Sequence, residues 1–85
     1  MQVSMEITVK YSSLLKMLIR QDQELMDVDE GTTIDQLTRI LDQKYKSGRF
    51  NSQKTKFLID NQFVDGDKIL AEGDEISVFQ TLKNT

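Results

Sequence analysis

Residues 2–11 alternate polar and apolar without a break. Val3, Met5, Ile7, Val9 and Tyr11 fall on one side, and Gln2, Ser4, Glu6, Thr8 and Lys10 on the other. A period of two is that of a strand with one buried face, and a slip of one residue would exchange the two faces. This segment therefore commits the chain to a sheet, and the sheet needs a second layer over its apolar side. Met5 offers an alternative start, which makes residues 1–4 a possible extension.

That second layer is signalled at residues 33–46. Thr33-x-x-Gln36 is a capping box, in which the Thr hydroxyl and the Gln amide each satisfy an N–H that the first turn leaves orphaned. Asp35 suits the positive end of the helix dipole, and Lys44 and Lys46 suit the negative end. Ile34, Leu37, Ile40 or Leu41, and Tyr45 recur at helical spacing and give one apolar stripe for the core. Ser47-Gly48 stops the helix. A shorter apolar run at about 13–19, Leu14-Leu15-Lys16-Met17-Leu18-Ile19, predicts one or two helical turns against the sheet.

The remaining strands are short. Leu25–Val28 forms one, closed by the turn Asp29-Glu30-Gly31. Phe57-Leu58-Ile59 reads as a buried central strand, Asp60-Asn61-Gln62 as a turn, and Phe63-Val64 as the start of a return strand. Gly73-Asp74 is a further turn signal. It introduces the last strand, Glu75–Phe79, and residues 80–85 read as a flexible tail. This order predicts an α+β fold, a β-grasp: a mixed four- to five-stranded sheet crossed by one main helix, with the first and last strands side by side at its centre. Residues 1–85 are expected to form a single domain.

Composition narrows the chemistry. The chain has no Cys, His, Trp or Pro, so it lacks a disulfide framework, the commonest zinc ligands and a Ser–His–Asp triad. No activated nucleophile or base stands out, and we expect no catalytic, cofactor-binding or metal-binding residue. Asp27-x-Asp29-x-Gly31 resembles the opening of a calcium loop, but its Gly falls one place early and Thr38 stands where the twelfth-position Glu belongs. The charge is uneven. Five of the 11 cations (Lys44, Lys46, Arg49, Lys54, Lys56) and none of the 14 acids lie between Gln43 and Ile59, which leaves six cations against all 14 acids elsewhere. The basic 44–56 segment is a solvated loop or a docking patch for an acidic partner; the acidic whole speaks against nucleic acid. No apolar run approaches the ~18 residues of a membrane span, and no signal-peptide pattern opens the chain. The expected setting is cytoplasmic, away from membranes.

Four segments resemble the MoaD/ThiS-like sulfur-carrier family of ubiquitin-like β-grasp proteins, most closely the small subunit of molybdopterin synthase. They are Ile7-Thr8-Val9-Lys10-Tyr11 with the leucine-rich 14–19 stretch, Gly31-Thr32-Thr33-Ile34-x-x-Leu37, Phe57-Leu58-Ile59-Asp60-Asn61, and Leu70-x-x-Gly73-Asp74-Glu75-Ile76. The resemblance implies a ubiquitin-like fold and no enzymatic activity of its own. It implies a protein partner of the adenylating-enzyme or molybdopterin-synthase large-subunit type. By position, Phe63 and Phe79 match the apolar docking surface, Leu82 the tail groove, and Asn84 and Thr85 the two terminal positions.

Those last two positions depart from the pattern, which ends in Gly-Gly. The family's terminal carboxylate is adenylated and converted to a thiocarboxylate inside narrow channels, where a side chain would clash and where glycine permits the backbone the channel demands. Asn84-Thr85 therefore implies a docking protein and not a competent sulfur carrier. The alternatives are a sulfur-carrier subunit in molybdopterin or thiamine biosynthesis with an unusual or non-native C-terminus, and a regulatory module that uses the basic 44–56 segment.

Overall fold

The computed structural model describes residues 3–45 and 55–80. Its elements follow the order β1 (Ser4–Tyr11), α1 (Ser13–Ile19), β2 (Gln23–Asp29), α2 (Ile34–Tyr45), β3 (Thr55–Ile59), β4 (Gln62–Val64) and β5 (Glu75–Gln80). The sheet has five strands in the order β2-β1-β5-β3-β4. Only β1 and β5 run parallel, with Val9 opposite Ile76 and Tyr11 opposite Val78. The other three pairs are antiparallel. First and last strands thus share the centre, and the arrangement is the ubiquitin-like β-grasp expected above.

Alternation decides which side of each strand is buried. Met5, Ile7, Val9 and Tyr11 of β1, Val28 of β2, Phe57 and Ile59 of β3, and Ile76 and Val78 of β5 join Leu15 of α1, Ile34, Leu37 and Leu41 of α2, and Leu70 in one core. The helices cover this face and leave the other to solvent. Val3 is a correction to the predicted stripe: it precedes β1 and is 58% exposed. Its carbonyl accepts the Glu30 N–H at 2.7 Å, which fixes the backbone without burying the side chain. The choice between Ile40 and Leu41 falls to Leu41, fully buried, while Ile40 lies on the shoulder of the helix. Leu58 departs from the buried run expected at 57–59, because a strand's middle residue points opposite to its neighbours.

The start of α2 is fully satisfied. Gln36 N–H donates to Thr33 Oγ1 at 3.3 Å and Thr33 N–H to Gln36 Oε1 at 3.0 Å, the capping box read from the sequence. Ile34 N–H donates to the Lys68 carbonyl at 3.0 Å and Asp35 N–H to the Gly66 carbonyl at 2.9 Å, so the loop before β5 supplies the remaining acceptors. Thr33 is the cap and not the first helical residue, so α2 begins one residue later than expected. The expected helix end at Lys46, the Ser47-Gly48 stop and the irregular stretch 50–54 lie outside the described residues.

Candidate partner-docking face

The uncovered face of the sheet is set by register. Lys56 stands opposite Phe79, and Leu58 opposite both Ser77 on β5 and Phe63 on β4. Lys10 stands opposite Ser77 from the other side. Directly opposed residues share a face, so these side chains form one surface. Phe79 alternates with Ile76 and Val78, which are fully buried, and so points away from the core, 38% exposed. Phe63 is 72% exposed. It is held there by a two-residue hairpin, because Asp60 and Asn61 both take positive φ, 53° and 64°. Such a left-handed pair matches the twist of the flanking strands, and Asn and Asp tolerate it better than most residues.

Leu58 stands directly opposite Phe63 and diagonally across from Phe79, half-buried, and belongs to the same apolar patch. Sequence reasoning placed it in the core. Strict alternation from Thr55 to Ile59 was the signal for its true direction, masked by three consecutive apolar residues. Leu82, Asn84 and Thr85, expected in the tail groove and at the terminus, lie outside the described residues.

Ion pairs on this face are exposed. Lys10 Nζ meets Glu75 Oε1 at 2.7 Å with both side chains largely in solvent, a geometry that contributes little to stability. Of the basic 44–56 segment, residues 46–54 lie outside the described residues. Lys56 joins the open face beside Phe79, whereas Lys44, its side chain half exposed, pairs with the inward Glu24 carboxylate.

That inward pair belongs to a polar cluster that sequence reasoning did not assemble. Glu24 of β2 lies on the core side, its side chain 9% exposed. Tyr11 donates its hydroxyl proton to Glu24 Oε2 at 2.5 Å, Tyr45 donates to the same oxygen, and Lys44 Nζ donates to Oε1. The Tyr11 and Tyr45 rings meet edge to face at 6.3 Å, and Gln21 Nε2 donates to the Tyr45 hydroxyl at 3.1 Å. Burial alone would push the Glu24 carboxyl up, but donors from Lys44, Tyr11 and Tyr45 outweigh it and hold the group below the usual carboxylate range. Burial and the neighbouring carboxylate push both tyrosines up, and the hydrogen bond to Glu24 raises Lys44. The result is an ionised carboxylate that accepts hydrogen bonds from three protonated donors. It ties the end of α2 to β1 and β2. A charged residue at an inward strand position was the available signal, since such a group is rarely buried without partners.

Among the described residues, no group of three or more carboxylates gathers as metal ligands, and no helix is long and apolar enough to cross a membrane.

Comparison with known proteins agrees with this architecture. The ThiS family matches residues 9–82. A Pyrococcus furiosus protein described as molybdopterin converting factor, subunit 1, superposes with a TM-score of 0.79 at 19% identity, covering 92% of this chain and 99% of that one. SAMP1 from Haloferax volcanii superposes at 0.76 with 17% identity, covering 94% and 99%. The Haloferax volcanii HVO 2177 protein reaches 0.79 at 20% identity, covering 96% and 88%. No curated protein matches the chain in sequence. At these identities the solved structures establish the fold, and the family match supplies the relationship. The chain belongs to the ThiS family.

Proposed function

We propose that this chain is a docking protein that binds a partner enzyme through the open face of its sheet, centred on Phe63 and Phe79, with the tail from Leu82 to Thr85 continuing the contact. The observation that carries this reading is the apolar patch of Leu58, Phe63 and Phe79 on the sheet face that, among the described residues, no helix covers. Aromatic side chains held on a rigid strand are effective interface anchors, because little side-chain freedom is lost when they are covered. The partner is an adenylating enzyme or an enzyme of the molybdopterin-synthase large-subunit type.

Calorimetric titration of the source organism's adenylating enzyme with the wild-type chain and with Phe79→Asp tests the reading. Covering one phenylalanine contributes about 1.5–3 kcal/mol, so the variant should lose at least about tenfold in affinity and keep the wild-type circular dichroism spectrum. Wild-type affinity, or an unfolded variant, removes Phe79 from the interface.

The family match over residues 9–82 favours sulfur transfer as a second reading. The same mixture, supplied with ATP and a sulfur donor, distinguishes it by intact mass. A sulfur-for-oxygen increase on the chain means a carrier, and an unchanged mass with retained binding means a docking protein.

A further inference from the structure

The open face carries an apolar patch on one side and an acidic shoulder on the other. Strands β3, β4 and β5 carry Leu58, Phe63 and Phe79, whereas β1 and β2 present Glu6, Asp27 and Asp29, all exposed, with the exposed Leu25 of β2 and Lys10 of β1 further along the same strands. Glu6 and Asp27 are direct partners in the antiparallel β1–β2 pair. Like charges opposed in this way repel at the shortest side-chain separation a sheet provides. Glu72, from the loop before β5, adds a fourth carboxylate, both of whose oxygens accept the Glu6 backbone N–H, at 3.2 and 3.3 Å. Among the described residues, no Lys or Arg forms an ion pair with any of these four acids, and neighbouring Lys10 is committed to Glu75.

We propose that the partner covering this face sets lysine or arginine side chains against the Glu6–Asp27–Asp29–Glu72 shoulder while an apolar surface meets Leu58, Phe63 and Phe79. The proposal rests on the docking reading and adds the chemistry of the partner to it. Two features argue for a basic protein surface as the occupant. The sheet keeps an opposed carboxylate pair whose repulsion a cation set against it would relieve. A second copy of the chain is a poor match, since among the described residues its open face offers Lys56 and the already paired Lys10. Nucleic acid is repelled by the same carboxylates.

Two measurements test the proposal. In the free protein, Glu6→Lys converts the repelling pair into an attracting one, so its thermal midpoint should exceed that of the wild type; an unchanged or lower midpoint overturns the proposal. In titrations of the source organism's adenylating enzyme, the Glu6→Gln/Asp27→Asn double variant should lose about tenfold in affinity at about 0.05 M salt. It should match the wild type at about 0.5 M, where screening removes the difference. Phe79→Asp should lose binding at both salt concentrations. A double variant that binds like the wild type at low salt, while Phe79→Asp does not bind, overturns the basic-partner proposal and leaves the docking reading standing. Full binding by both variants, or no binding by the wild type, overturns the two together.

Discussion

Two side chains show how single residues hold this domain together. Gly66 carries the carbonyl that caps Asp35 N–H, and a Cβ added to it would come within 2.6 Å of Asp35 Cγ. Gly66→Ala must therefore displace the Asp35 carboxylate at the first turn of α2, and because that is the far end of an exposed, flexible side chain the cost should be small, about 0.5 kcal/mol. In an Asp35→Ala background the same change should cost close to nothing. A urea-denaturation cycle of the four proteins measures the coupling, and equal costs in both backgrounds would place the constraint elsewhere. Glu24 is the second case. Its carboxyl is held below the ordinary value of 4.5, so its contribution is complete above that pH and fades as the pH falls through the depressed value. Lys44 and the two tyrosines are raised, so theirs is complete below their ordinary values near 10 and is lost as the pH rises through the higher folded ones. Glu24→Gln should cost about 2 kcal/mol at neutral pH, in line with hydrogen bonds to a buried charge. It should also flatten the loss of stability as the pH falls below the ordinary carboxylate value of 4.5. An acid arm that persists in the variant would assign the titration to other carboxylates.

At the scale of elements, local signals carried most of the reading. The period of two in β1, the capping box of α2 and the turn at Asp60-Asn61 each depend on residues within a few positions of one another, and each was legible. Thr33→Ala should therefore cost about 1 kcal/mol, the usual worth of a helix cap, and near-zero loss would mean that the Lys68 and Gly66 carbonyls hold the helix start alone. What escaped the sequence depends on distant partners. Glu24 meets Tyr11 across two strands and Tyr45 from the far end of α2, and no local pattern joins residues separated by 13 and 21 positions. The direction of Leu58 was hidden for a related reason. Three apolar residues in a row are compatible with a strand buried on both faces, and only the pairing with β4 and β5 shows that one face is open. Phe79 was legible because Ile76 and Val78 define the opposite side within the same strand.

At the scale of the whole molecule, the described helices and strands complete a core on one side of the sheet, and among the described residues nothing covers the other. A domain of this size has little surface to spare, and an apolar patch left uncovered beside a row of carboxylates is better explained by a partner than by folding. The most direct test of that claim is a backbone amide NMR titration of the isotope-labelled chain with the adenylating enzyme. Our account predicts that shifts and line broadening begin at Leu58, Phe63, Ser77 and Phe79, extend to Glu6 and Asp27, and spare the exposed side of α2 at Gln36, Arg39 and Ile40. Perturbations that centre on α2 and leave β3, β4 and β5 unchanged would contradict it.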